Sequence, residues 1–311
     1  MKGTPSMNQI CIHAGCIGGL ALIAFALPAH AQVEHDFTFE AAAGVEYDDN
    51  ITVTEIDAET NEDDFAAVFE ASIDYEAAFS DTDSLSLGYS FSQTEQFDLS
   101  AFDLQIHGTN VTYEHDFESF SAGLTHQFFF TRLGGNDLLD MNRITPFITA
   151  FPAKWMFLRA SYTYKDKNLI NRIDRDAKTH MGEIMSFFFV DGTDSYLTAL
   201  YRFESEDAKG PEFDFDAHIV KAGLRTRLPF GGEDNRLSFD AEYEARDYEA
   251  ITPSIGEIRD DDRFTFDASW EVPFGDIFYA EIEYQYRDFS SNLPSSNFTE
   301  NRAGIKIGLE Y

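Results

Sequence analysis

The stretch F-A-A-V-F-E-A-S-I-D-Y-E-A-A-F at 65–79 alternates without a fault. Phe65, Ala67, Phe69, Ala71, Ile73, Tyr75, Ala77 and Phe79 fall on one face of a strand, and Glu70, Ser72, Asp74 and Glu76 on the other. Its length exceeds the ~5–6 residues of an ordinary globular strand. It suits a tilted strand that crosses a bilayer and continues past the interface. A face so apolar requires an apolar neighbour, either a protein core or lipid.

The same pattern spreads in both directions. A first strand over 36–47 places Phe37, Phe39, Ala41, Ala43, Val45 and Tyr47 on one face. The last nine residues, A-G-I-K-I-G-L-E-Y at 303–311, place Ala303, Ile305, Ile307, Leu309 and Tyr311 on one face and Gly304, Lys306, Gly308 and Glu310 on the other. Between them, strands are marked at 85–91, 120–130, 158–164, 197–203, 237–245, 264–272 and 278–286. The fourth, sixth, eighth and tenth strands are less regular. The phase changes near Gly108 and Thr109 and again near Ile219 and Val220 predict β-bulges. The stretch 181–190 is apolar on both faces near its end, so its register stays open.

The connections alternate. Short ones fall at 80–84, 114–119, 152–154, 191–194, 229–234 and 273–276, and long ones at 48–63, 93–101, 132–141, 165–178, 204–212, 246–262 and 287–297. Short turns at one end and long loops at the other, with fourteen strands in all, predict an all-β fold: a transmembrane antiparallel up-and-down β-barrel with both termini at the periplasmic end. A soluble sandwich or jelly roll also alternates, but it gives neither this rhythm of connections nor strands this long.

Lys2, the apolar run 17–27, Pro28 and Ala29-His30-Ala31 read as a secretory signal peptide, residues 1–31, with the barrel over 32–311. Both cysteines, Cys11 and Cys16, lie in the part removed, leaving no disulfide, thiol nucleophile or thiolate metal site. The net charge of −34 excludes a nucleic-acid partner, which requires a basic face. The 31 Phe and 14 Tyr exclude a disordered acidic chain, which would be poor in aromatics.

These features resemble Gram-negative outer-membrane β-barrels of porin-like type, whose terminal aromatic strand is read by the barrel-assembly machinery. In that resemblance Gly304, Ile307, Leu309 and Tyr311 are the assembly signal. The motif G-V-E-Y-D-D-N-I at 44–51 ends the first strand, and Y-R-D-F-S-S-N at 286–292 precedes the last. The strand count and the second motif are similar to the barrel domain of surface lipoprotein assembly modifiers. The helical repeats those proteins carry have no counterpart here.

If the apolar faces meet lipid, the other faces line a lumen. Arg202, Lys221, Arg225 and Arg227 then form a basic stripe. Asp240, Glu242, Glu244, Asp267, Glu271, Glu281 and Glu283 form an acidic one, and Arg302 and Lys306 a second basic one. Two readings stand: cross-strand ion pairing that fills a narrow lumen, and a transverse field across a water-filled pore that favours cations.

The loops are acidic, loop one through Asp48, Asp49, Glu55, Asp57, Glu59, Glu62 and Asp63. Asp57-x-Glu59-x-Asn61 superficially resembles a calcium loop, but Glu62 stands where the turn glycine belongs. The fourth long loop is basic, with Lys165, Lys167, Arg172, Arg175 and Lys178, and is the candidate surface for lipopolysaccharide phosphates. His126 falls on the lipid face between Leu124 and Phe128. An outer-membrane phospholipase has a serine two residues beyond such a histidine, where Phe128 stands here. A slipped register or an interfacial depth is the plainer account of His126. The expectation is therefore a monomeric porin-like channel for passive diffusion of small polar or cationic solutes. It is not an enzyme, takes no cofactor or metal, and has lipid and lipopolysaccharide as neighbours. The alternative is a non-conducting barrel for export of surface proteins or lipoproteins, adhesion or envelope integrity.

Overall fold

A computed structural model of the chain describes residues 34–192, 194–230 and 233–311, so the segment expected to be a signal peptide and both cysteines lie outside the described residues. The described chain is a closed antiparallel barrel of fourteen strands in sequential order. They are β1 (Glu34–Asp48), β2 (Asp64–Ala78), β3 (Asp83–Gln96), β4 (Leu104–Asp116), β5 (Ser121–Leu133), β6 (Asn136–Ala153) and β7 (Met156–Leu169). The second half is β8 (Ala177–Asp191), β9 (Ser195–Ala208), β10 (Phe215–Phe230), β11 (Glu233–Thr252), β12 (Glu257–Phe274), β13 (Phe278–Ser291) and β14 (Phe298–Glu310).

Closure is made by the first and last strands. Ala43 lies opposite Ile307 and Val45 opposite Ile305. Tyr311 continues the ladder, with Phe39 and Tyr311 exchanging two backbone hydrogen bonds of 2.9 Å. A closed sheet has no edge strand and satisfies its backbone groups between strands, which is what a bilayer demands of a β-structure.

The apolar faces point outward, as the alternation predicts. Phe37, Phe65, Leu124, Ile184, Val220, Ile282 and Ile307 are all exposed on the outer wall. In an apolar solvent the sheet needs no greasy interior, so the inside is free to be polar.

Three expectations are corrected. Neither β4 nor β10 contains a bulge; their registers run continuously against both neighbours. The phase change near Ile219 has another cause: Phe215, Ala217 and Ile219 point inward and pack with Tyr248 at the loop end of the barrel. Register shifts fall instead beside Thr131, Ala150, Phe189 and Asp247. Several loops read as long are short, because the strands continue past the apolar band with polar residues on both faces. The stretch 132–141 contracts to a turn at Gly134 (φ 54°) and Gly135 (φ 75°), a left-handed pair that glycine adopts without strain. Likewise 246–262 is mostly strand, leaving a turn that ends at Gly256.

Candidate functional site: the barrel interior and its first loop

Every candidate lumen residue alternates with an outward apolar neighbour. Lys221 follows Val220, Asp240 follows Phe239, Glu242 precedes Tyr243, Glu271 follows Trp270, Glu283 precedes Tyr284 and Lys306 lies between Ile305 and Ile307, each of these neighbours being exposed. Arg202, Arg225, Arg227, Glu244, Asp267, Glu281 and Arg302 share the same inward parity on their strands.

The structure joins most of them in ion pairs. Arg202 meets Glu183 at 2.8 Å, Arg227 meets Asp194 at 3.3 Å, and Lys221 and Arg225 both reach Asp240. Glu244 pairs with Arg246 at 2.6 Å, and Glu271 with Arg236 at 3.0 Å. Asp267 accepts from Gln285 at 2.7 Å. Arg302 lies 3.1 Å from Asp48.

Lys306 has the longest reach, bridging Glu70 on β2 at 3.0 Å and Glu283 on β13 at 2.9 Å. To reach β2 it must pass over β1, and Gly44 leaves the space: a Cβ there would stand 2.8 Å from Lys306 Cγ. Gly308 plays the same part for Tyr279, whose hydroxyl crosses it to donate to Glu40 at 2.6 Å. Long side chains thus lie along this wall instead of projecting across the lumen.

The feature the sequence did not reveal is loop one, residues 49–63. It folds inward as a small hairpin, Thr52–Val53 pairing with Ala58–Glu59, with Asp57 at its tip in a left-handed conformation (φ 50°). At its base, Thr52 Oγ1 donates to Glu300 at 2.7 Å and Asn50 Nδ2 donates to the Thr299 carbonyl at 3.1 Å. Val53 and Ile56 pack on Leu138, Leu139 and Leu169 of β6 and β7, half-way round the barrel.

The tip is held by two guanidinium groups. Asp57 pairs with Arg259 of β12 at 3.0 Å, pairs with Arg175 between β7 and β8, and accepts from Ser296 Oγ at 2.8 Å. Arg259 is itself 2.8 Å from Asp261, and both side chains are almost fully buried. Burial alone would raise the Asp57 carboxyl, but the charges and hydrogen bonds of Arg259 and Arg175 outweigh it and hold it well below the usual carboxylate range. Loop one therefore crosses the mouth. Beside it a recess of about 510 Å³ opens between Asp49, Glu59 and Asn61 of the loop and Asp288 and Asn297 near the ends of β13 and β14.

The basic fourth loop is corrected. Lys165 and Lys167 sit on β7 facing inward, 3.0 Å from Glu204 and 2.6 Å from Glu206, and Arg175 is committed to Asp57. Only Arg172 and Lys178 of that group stay exposed, and Lys178 lies in register between Asp166 and Asp207.

His126 is exposed on the outer face, in register with Val111 and Ile144, and the ladder between β4 and β5 is continuous, so no register slip explains its position. His107, His180 and His218 each meet a tyrosine hydroxyl on the outer wall, from Tyr89, Tyr162 and Tyr201. His115 pairs with Asp83 at 2.8 Å near a short turn. Among the described residues no group of three or more His, Cys, Asp or Glu side chains is arranged to hold a metal ion.

Against protein-family models and curated protein sequences the chain has no match. Its fold does. OmpT, an outer membrane protein of Vibrio cholerae, superposes with a TM-score of 0.54 at 12% identity, over 92% of this chain and 99% of that one. An anion-selective porin from Comamonas acidovorans gives 0.53 at 8% identity, over 90% and 100%. OmpF of Salmonella typhi, solved with daunomycin, gives 0.50 at 10% identity, over 90% and 98%. The fold is that of outer-membrane β-barrels, and porins are among the proteins that share it. A likeness to surface lipoprotein assembly modifiers is not shown by these matches.

Proposed function

We propose that the protein is an outer-membrane channel of porin-like type through which small polar solutes diffuse passively, with loop one narrowing its mouth. Both termini then lie on the periplasmic side, since the short turns share their end of the barrel. Fourteen strands ~4.8 Å apart and tilted ~40° enclose a backbone radius of roughly 14 Å. The observation that carries the reading is that inward carboxylates remain open to water: the Glu70 side chain is 47% exposed although it faces the interior. A filled lumen would bury it.

The acidic excess of the chain supports a preference for cations. The porin neighbours support diffusion in place of catalysis, and no residue is assigned a catalytic role. Planar-bilayer recording is the test: folded protein that inserts and never conducts would sink the channel reading.

One observation favours a second reading. Loop one reaches the opposite wall and is fixed by ion pairs to Arg175 on that side and Arg259 of β12, as it would be in a non-conducting barrel serving export, adhesion or envelope integrity. Conductance that appears only after loop one is deleted would select it.

A further inference from the structure

Asp57 is bound the way a receptor binds a free carboxylate. Arg259 grips it with both arms of its fork, Nη1 donating to Oδ2 at 3.1 Å and Nη2 to Oδ1 at 3.0 Å. Arg175 Nη2 also donates to Oδ2, and Ser296 Oγ donates to Oδ1 at 2.8 Å. The donors come from β12, from the turn before β8 and from the turn before β14.

These donors are positioned without the loop. Arg259 donates from Nε and Nη2 to Asp261, both at 2.8 Å, and lies over the Tyr248 ring at 4.6 Å. Asp261 is held in turn by Arg263 at 2.8 Å and by Ser291 Oγ at 2.6 Å. Arg175 lies over the Phe213 ring at 4.2 Å. Arg259 and Ser296 are almost fully buried, so withdrawing Asp57 leaves a fork and a hydroxyl aimed at a place that an anion is needed to refill.

Loop one supplies only the ligand. Beyond its α-carbon, Asp57 is the methylene carboxylate of acetate, carried on a hairpin tip. A ligand tethered in this way has an effective concentration in the millimolar range, so a free carboxylate at higher concentration competes for the same donors. The pocket lies at the loop end of the barrel, and a carboxylate arriving from that side reaches it without crossing the acidic interior. We propose that the arginine pocket is a binding site for small free carboxylates, with Asp57 as its tethered occupant: a free carboxylate takes the place of Asp57 and releases the tip of loop one. The fork requires two oxygens in one plane, so the release responds to carboxylate and not to chloride at the same ionic strength.

The probe is carbon-13-labelled acetate, added to the full chain folded in detergent. Asp57→Gly removes the tethered carboxylate and keeps the backbone, since Asp57 has a φ of 50° that glycine adopts without strain. Acetate is expected to bind this variant, read as broadening of its carboxyl resonance, and to bind wild type about tenfold more weakly or worse. Acetamide, which has the shape without the charge, is expected not to compete. In wild type, for a dissociation constant of ~10 mM, about 50 mM acetate should raise the undocked population about fivefold. That rise is read as faster cleavage within residues 49–63 by a glutamate-specific protease, against the same concentration of chloride.

Equal binding by wild type and Asp57→Gly overturns the assignment, because the acetate then sits elsewhere. Competition by acetamide, or a cleavage rate that chloride raises as much as acetate does, overturns it too. Should Asp57→Gly fail to fold, a barrel with residues 52–59 replaced by a short glycine linker takes its place, and no acetate binding there is equally fatal. Neither readout needs a conducting barrel, so failure here and failure of the channel reading are told apart.

Discussion

The latch on loop one lends itself to a sharp perturbation, Asp57→Asn. The exchange keeps the side chain's shape and removes its charge, leaving Arg175 and Arg259 facing a neutral amide. Breaking one partner of a buried pair typically costs ~3–5 kcal/mol. The remaining attachments are weaker: Val53 and Ile56 are only partly buried and contribute at most ~1.5 kcal/mol each, and each hydrogen bond from Asn50 or Thr52 adds ~1 kcal/mol. Removing the latch therefore shifts the balance between docked and undocked loop by about a hundredfold or more.

The consequence for conduction follows from size. Taking ~5 Å for the inward side chains leaves a free radius near 9 Å, and a two-stranded hairpin is about 10 Å wide, so it covers roughly half the opening. Single-channel conductance should rise about twofold in Asp57→Asn and also when residues 52–59 are replaced by a short glycine linker. The pH dependence has a fixed sign. The Asp57 carboxyl titrates below its ordinary range, so its contribution is full at neutral pH and is lost only as pH falls below the usual carboxylate pKa. Loop docking, read as protection of residues 49–63 from protease, should stay unchanged from about pH 7 to pH 4. If the linker variant opens the pore and Asp57→Asn does not, the ion pair is not the latch. If neither changes the conductance, loop one does not restrict the path.

Other outcomes follow from single contacts. Lys306→Gln removes the cation that bridges Glu70 and Glu283 and should lower by several degrees the temperature at which the barrel loses its compact migration on unheated gels; unchanged migration would show that the bridge adds little. Deleting Tyr311, which is exposed but completes the ladder with Phe39, should reduce the yield of assembled barrel several-fold and leave the conductance of the barrels that do form unaltered. Normal yield would contradict an assembly role for the terminal strand. His126→Ala should leave phospholipid and lipid A profiles of overexpressing cells identical to those with wild-type protein; a lipid change present with wild type and lost in the variant would revive the enzymatic alternative.

The barrel was legible because its solvent reverses the usual rule. Phe65 to Phe79 alternates over its whole length since lipid meets only one face, and that single regularity determines strand parity and hence which side chains point inward. Legibility ended where the lipid ends. Above the apolar band β11 and β12 lose their alternation of apolar and polar residues, so Arg246, Arg259 and Asp261 read as loop, and with them went a partner of Asp57. Inward Phe215 and Ile219 likewise imitated a bulge, because a hydrophobic cluster inside the barrel has the opposite parity to a lipid face. Loop one was read as solvated acid. Nothing local in it announces two arginines, one from the far side and one from β12, distant in sequence and brought near only by closure.

The distribution of charge connects these observations. A chain of net charge −34 places the few cations it has mainly inside and on the second half of the barrel. The acidic hairpin of loop one springs from β1 and β2, which carry no Lys or Arg of their own, and its tip rests on the basic side, at Lys167, Arg175 and Arg259. Docking there satisfies guanidinium groups that would otherwise be buried with fewer partners, and it leans the loop away from the strands it came from. The narrowing of the mouth thus follows from where the chain places its cations: exchanging Arg175 for Gln should loosen the loop tip and raise single-channel conductance, and an unchanged conductance would show that Arg259 alone holds Asp57.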